Sequence, residues 1–576
     1  TGVQTCALPI WRRLVGVAPK PSQWETWSGT AHADLPEVDV QGLKQYVDLP
    51  IEVNGGRGSL NAEFAIQSGH PQGVMLGFAV KDVSVRLAPQ LPLLGFKSVT
   101  GRASLTHEPG VSVASYESLA FETREAEVWP KSSAQFEWRH GALSGWPPAE
   151  VLLKQTQGGA FKADRLDLAM LAKLADRLPL PSKLRDVLRD LAPQGIVTDL
   201  VWQWDGMLDA PKQYRLAGVV DGLGWDGDHE SGLPGVGKSH LKFSGDESGG
   251  RANLSIADGW LDFPGIFEEP RIPVHQLSGD LVWRITKPKR QGQPSDIDLE
   301  VRSVRFANAD AQGMVDATWQ TGGRDDAESA PRFPGVMSMK GKLSSAQANR
   351  VWRYLPLVIP DSARYYVRDA IKQGMGEQVN FEVNGDLNKF PFPRDEGGRF
   401  RVHVPVRQVL LDYVPGATLP GQSYWPAFSN LDGNLIFAGQ SMRIEKATAR
   451  LGGLGTGGFQ LRDVTGLIDD LASNDPHLVI SGHGDGPLDD ALKYLSTSPV
   501  GAWTGNMLGR AHGTGKAALK LQLDIPLDRV DATRLKGAVT LKESDVAAIR
   551  LAEGLPLFEG VVGEVGFTES VLSVKA

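Results

Sequence analysis

Over long stretches of this chain, apolar and polar residues alternate with a period of two. "LKLQLDI" sets Leu519, Leu521, Leu523 and Ile525 on one side and Lys520, Gln522 and Asp524 on the other. "VNFEVNG" opposes Val379, Phe381 and Val383 to Asn380 and Glu382, and "IDLEV" aligns Ile297, Leu299 and Val301. Successive side chains of a strand point to opposite faces, so each run predicts a strand with one apolar and one wet face, the antiparallel signature. A second pattern, apolar-x-Gly-x-apolar, is centred on Gly101, Gly279, Gly341, Gly385, Gly433, Gly537 and Gly563. All three positions share a face, and Gly leaves a gap there. Seven copies predict a repeated β architecture.

Two segments switch to the helical period. "LPLPSKLRDVLRDLAPQG", 178–195, carries the stripe Leu184, Val187, Leu188 and Leu191; "LPLVIPDSARYYVRDAIKQG", 355–374, carries Ala363, Tyr366, Val367 and Ala370. Both follow i, i+3, i+4, i+7 and predict amphipathic helices that dock on the sheet. The segments align with each other, Pro181 on Pro360, Arg189-Asp190 on Arg368-Asp369 and Gln194-Gly195 on Gln373-Gly374. Gly195 and Gly374 suit helix ends. A shorter relative is expected at 492–508. The expected organisation is a β-rich segment 11–165, then a helical break plus β segment at 166–343, at 344–488 and, truncated, at 489–576. The apolar faces fit two architectures equally: closed sandwiches, or one curved sheet whose open apolar face is a groove for acyl chains.

Composition narrows the class. The chain has 576 residues, 66 Gly, 15 Trp and a net charge of −8 spread along its length. Nothing marks a nucleic-acid surface. The lone cysteine, Cys6, excludes a disulfide scaffold. Residues 1–10, "TGVQTCALPI", read as non-native adapter-derived sequence. No run reaches 18 apolar residues, so no membrane-spanning helix is expected. The chain reads as an internal fragment of a longer protein.

Candidate chemistry is sparse. "GLPGVGKS", 232–239, fits the phosphate-loop pattern G-x-x-x-x-G-K-[ST]. That loop needs a buried strand before it and a helix after it. Here "GLGWDGDHES" precedes it, and Leu241 and Phe243 alternate with polar residues behind it, so a strand is expected and no nucleotide. Pro234-Gly235 belongs with Pro-Gly pairs at 109–110, 264–265, 334–335, 415–416 and 420–421, which predict turns. Asp226, Asp228, His229 and Glu230 form a group, as do Asp485, Asp489 and Asp490; hard cations take such oxygens, but solvated turns explain them more simply. Arg185 and Arg364 could meet a phosphate head group or lie on wet helix faces. No catalytic, metal or cofactor site is expected.

"VWRYLPLVIPDSARYYVRDAIKQGMGEQVNFEVNGDLNKFPF", 351–392, resembles the YhdP proteins, large AsmA-like envelope proteins of Gram-negative bacteria. "YWPAFSNLDGNLIF", 424–437, "GHGDGPLDDALKYLSTSP", 482–499, "KAALKLQLDIPL", 516–527, and "LPGVGKSHLKFSG", 233–245, add to the resemblance. It covers most of 160–576 and is weaker over 11–160. It implies a mainly β, elongated, curved antiparallel sheet rod with an apolar groove, interrupted by short amphipathic helices. It further implies the periplasmic part of an inner-membrane-anchored protein, related to TamB-like proteins, that carries phospholipid between inner and outer membrane. Partners are then phospholipid acyl chains and, through the full-length protein, both membranes. The groove candidates are Val379, Phe381, Val383, Leu519, Leu521, Leu523, Ile525, Ile297, Leu299 and Val301. A non-conducting scaffold of the envelope is the alternative.

Overall fold

The computed structural model describes residues 28–42, 52–68, 70–141, 156–208, 210–288, 293–323, 331–415, 425–451, 458–499, 501, 509–529, 532–568 and 571–575. Residues 1–10, with Cys6, lie outside them. The chain divides into two units: Thr1–Gly227, Pro234–Leu261 and Asp280–Thr286; and Asp228–Leu233, Asp262–Gly279 and Lys287–Ala576.

Each unit is built on an antiparallel meander. In the first, ten strands from Gly29–Asp39 to Gly235–Asp246 each pair with their chain neighbour. In the second, the same rule runs from Asp296–Ala307 through Ile371–Asp386 and Lys516–Pro526 to Leu572–Lys575, and among the described residues only the short strands His512–Thr514 and Ala548–Arg550 pair apart.

The helices do not interrupt the sheet. α1 (Leu168–Leu174) and α2 (Ser182–Leu191) lie between Thr156–Asp167 and Gln194–Gly206, which pair with each other. α3 (Asp361–Ala370) lies between the paired strands Val336–Gln347 and Ile371–Asp386. α4 (Leu488–Thr497) lies between the paired strands His477–Pro487 and Lys516–Pro526. Each helical break is therefore an elaborated hairpin loop. Pro181, Pro360 and Pro487 precede α2, α3 and α4 with φ between −57° and −52°. Proline costs nothing there, because the first N–H groups of a helix lack intrahelical acceptors anyway.

Several boundaries differ from the pattern reading. α4 starts at Leu488 rather than 492, set by Pro487 and by Asp489 and Asp490 in its first turn. It ends at Thr497, and 502–508 lie outside the described residues. α2 ends at Leu191 with Ala192 in the left-handed region (φ 42°, ψ 52°), not at Gly195. Gly195 and Gly374 sit inside strands with φ of +119° and +134°. Neighbouring strands approach them too closely for a Cβ, at Asp221 O and at Val409. The α3 stripe packs as expected, with Ala370 buried and Ala363, Tyr366 and Val367 half-buried. On α2 only Leu188 is buried, while Leu184 and Val187 are 46% and 55% exposed.

From Gly235 on, the motif at 232–239 is strand, as the alternation behind it predicts. Gly235–Asp246 pairs with Pro211–Trp225, and Lys238 (φ 55°) occupies a bulge between Val236 and Ser239. The buried Ser239 hydroxyl donates to Leu223 O at 3.0 Å, and the Trp260 ring covers Gly237. The turn lies at 229–232 rather than at Pro234-Gly235. Pro109-Gly110 and Pro264-Gly265 are turns, whereas 416 and 420–421 fall outside the described residues.

Candidate functional site: one apolar sheet face

The strand registers of the second unit connect the apolar positions into one face. Val304 pairs with Val315, Val315 with Gly341, Gly341 with Phe381, and Phe381 with Val402. From there the line continues through Phe437 and Met442 to Ile468. Two residues along from Met442, Ile444 leads through Gly466, Ile480 and Leu523 to Leu535. Leu521 pairs with Gly482 and Gly537, and Gly537 with Phe567. Leu299 and Val301 pair with Trp319 and Ala317, on the face of Val315. By strand alternation, all ten positions singled out from the sequence occupy this face.

Alternation alone does not hold the apolar residues together, because the strands carry bulges. Ser303, Gln378, Gln408, Asn430, Lys446 and Asp463 all have φ near +50°, each beside a register shift. The extra residue returns the next apolar side chain to the same face: Val301 and Val304 both oppose residues of one face of Ala311–Gln320. Neighbouring carboxylates hold some bulges, with Ser303 N donating to Asp316 at 2.7 Å and Gln408 N to Asp432 at 2.8 Å. The signal was present in the sequence as polar doublets between apolar residues, Arg302-Ser303, Arg407-Gln408, Glu445-Lys446 and Arg462-Asp463.

The Gly positions have a packing reason. A Cβ on Gly341 would lie 2.0 Å from Phe381 Cζ, and one on Gly537 2.2 Å from Phe567 Cζ. Each ring lies over its cross-strand glycine and fills the gap. Val304 does the same over Gly279 and Ala447 over Gly433.

Coverage of this face is partial. No residue of Ala311–Gln320 or Val336–Gln347 is fully buried, although Val315, Ala317, Trp319, Met337, Met339 and Leu343 are its apolar side. Among the ten candidates, Val379, Val383, Leu523 and Ile525 are buried, Leu299, Val301, Phe381, Leu519 and Leu521 are half-buried, and Ile297 is 37% exposed. The opposite face is charged and wet, with Glu382 paired to Lys340 at 3.4 Å and Gln522 exposed.

Toward the end of the second unit the face surrounds a narrow apolar cavity of about 40 Å³. Leu519, Leu521 and Leu523 line it, with Phe428, Tyr413 and, from α4, Tyr494. Leu488, Ala491 and Leu492 seat α4 against Phe428 and Phe459. Tyr413 Oη and Tyr494 Oη are 2.6 Å apart. Burial pushes Tyr494 up to about 12 and Tyr413 well above the ordinary phenol range.

Several of the polar groups noted in the sequence have structural partners. Asp228 accepts from Ser231 N, Ser231 Oγ and Glu230 N, and these bonds hold its carboxyl below the usual range. Asp489 binds Lys493 at 2.9 Å and His512 at 3.2 Å, while Asp485 pairs with Arg462. Arg364 lies on neither a wet face nor an open phosphate site: it is 4% exposed and gripped by Glu268 and Asp361. Arg185 is half-buried on α2. Sequence reading missed the buried Arg364–Glu268 pair, which joins residues far apart in the chain.

An antiparallel meander with one continuous, half-covered apolar face and helices set in its hairpin loops defines a β-groove protein. The profile of the YhdP protein family matches residues 12–576, and the chain belongs to that family. The intermembrane phospholipid transporter YhdP of Escherichia coli (strain K12) is 25% identical over 420 residues, which cover 71% of this chain and 30% of that protein. The chain thus spans about a third of the length of this relative. No solved structure matches it.

Proposed function

We propose that this chain is a segment of a periplasmic conduit that carries phospholipid between the inner and outer membranes of a Gram-negative bacterium. The acyl chains lie along the apolar face that runs from Leu299 to Phe567. The observation that carries this reading is the incomplete coverage of that face. A closed sandwich buries its inward side chains against a second sheet, whereas Val315, Met339, Phe381 and Leu521 stay half-buried. Each CH₂ that a lipid buries there contributes about 0.8 kcal/mol, with no directional contact required. A residue that touches only acyl chain needs no catalytic chemistry, so the proposed role is non-enzymatic. Among the described residues no helix is long and apolar enough to cross a membrane; attachment to the membranes falls to the longer protein.

The test is a photo-crosslinker at single positions in cells. At 381 or 521 it should capture phospholipid, and at the wet positions 382 or 522 it should not. Equal labelling of both faces, or of neither, favours a scaffold that spans the envelope without conducting.

A further inference from the structure

The apolar face of the second unit is half-covered at Val315, Met339 and Phe381, but around Lys516–Pro526 α4 lies directly on it. Leu488, Ala491 and Leu492 are buried in the seat of the helix, and Leu495 borders the same space as Leu519 and Leu521. Tyr494 adds a hydrogen bond to Tyr413. The space left between helix and face is about 40 Å³. That is water-sized, whereas a ligand as small as benzene fills a cavity of roughly 150 Å³. No acyl chain fits there while α4 is seated. A track from Leu299 to Phe567 must nevertheless cross this ground, since Phe567 itself borders the covered space. Seated helix and passing lipid are therefore alternatives for one surface.

On the conduit reading, on which this rests, we infer that α4 is a gate. Seated, it closes the track at Leu519, Leu521 and Leu523; an arriving acyl chain takes its place, and the Tyr413–Tyr494 hydrogen bond is the latch. The exchange is well matched. The helix gives the face aliphatic contact without direction, an acyl chain gives the same, and the face stays dry in both states. A helix of ten residues is not stable alone, so α4 is ordered by its seat and yields when the seat is taken. The two occupants are linked: whatever weakens the hold of α4 raises lipid occupancy beneath it, and lipid loosens α4 by the same factor.

The test uses the full 576-residue chain, dioctanoyl phosphatidylglycerol as the probe, and a photo-crosslinker either at 381, on the open part of the face, or at 521, beside α4. Capture at 521 should rise about twofold to tenfold in Tyr494→Phe, the range one net hydrogen bond supplies. It should rise further in Leu492→Ala, which removes part of the seat. Capture at 381 should not change in either variant. Lys493→Gln, on the exposed side of the helix, should match wild type at both positions. In wild type, hydrogen exchange along 488–497 should speed up when the lipid is added and stay unchanged with glycerophosphoglycerol, which has no acyl chains. Capture at 521 that ignores both α4 variants, or lipid bound with the exchange of α4 unchanged, overturns the gate and leaves the conduit reading standing with a path beside the helix. Faster exchange with glycerophosphoglycerol would assign the release of α4 to the head group and overturn displacement by acyl chains. Capture at neither 381 nor 521 defeats the conduit reading, and the gate with it.

Discussion

At the residue scale, the recurring glycines are the unusual choice, since Gly in a strand sacrifices conformational entropy and packing area. In the second unit the loss is made good across the ladder. Phe381 lies over Gly341 and Phe567 over Gly537, each large ring taking the volume that two medium side chains would share. This keeps the apolar face smooth while moving its bulk to alternate strands. Gly341→Ala should therefore destabilise the second unit by about 1–3 kcal/mol, the usual cost of forcing a packed ring aside. Phe381→Leu alone should cost about 1 kcal/mol. In the double variant the costs should not add, because the shorter side chain frees the space that the new methyl needs. A denaturant series on the four proteins measures the coupling. Additive effects would mean that ring and glycine do not share that space.

At the element scale, the hairpins are tied at their ends by charged side chains, and one tie is held by a histidine. His477 opens strand His477–Pro487, and its ring reaches Asp524 at 2.6 Å and Asp475 at 3.3 Å. Hydrogen bonds to Asp524 first and Asp475 second raise it above its ordinary 6.5. A raised folded value means that the stabilisation is complete below about pH 6.5 and disappears as pH rises through the folded value. The ring is exposed, so the effect is small and local. Hydrogen exchange along 477–487 should show wild type better protected than His477→Gln at about pH 5.5 and indistinguishable from it at about pH 9. The opposite pH order would show that the neutral ring is the stabilising form.

The same scale separates what the chain states openly from what it conceals. Period-two alternation placed 297–301, 379–385 and 519–525 in strands, inside the observed strands Asp296–Ala307, Ile371–Asp386 and Lys516–Pro526, because a half-covered sheet needs that period. It could not reveal whether the apolar side meets a second sheet or open space, since both demand identical spacing. The bulges were encoded as polar doublets, but a doublet reads as a broken pattern until a register shows that Val301 and Val304 share a face. Arg364 read either as a phosphate contact or as a solvated helix residue because its partner Glu268 is remote in sequence. The apolar stripe of α2 read as core, yet its spacing says nothing about what covers it, and Leu184 and Val187 remain exposed.

At the scale of the molecule, the proposed conduit requires the positions of the apolar face to act in series. A binding protein with independent sites loses one site's worth of ligand when one site is damaged. A track is different, because every acyl chain must pass every point. Phe381 and Leu521 lie on one face but several strands apart, so a charge at either should have the same consequence. Aspartate there must be dehydrated or must neutralise as each chain passes, at a cost of several kcal/mol. It should leave most of the retained lipid in place, since the remaining face is untouched. Passage is governed by the highest barrier, and about 4 kcal/mol corresponds to about a thousandfold slower flux. In the full-length protein carrying this segment, Phe381→Asp and Leu521→Asp should each abolish phospholipid transfer while native mass spectrometry still finds most of the lipid bound. Phe381→Leu, which keeps the track apolar, should transfer normally. The double aspartate variant should be no worse than either single one, because a blocked path gains nothing from a second block. Transfer that falls only in proportion to bound lipid would show parallel sites rather than a track, and the conduit reading would fail.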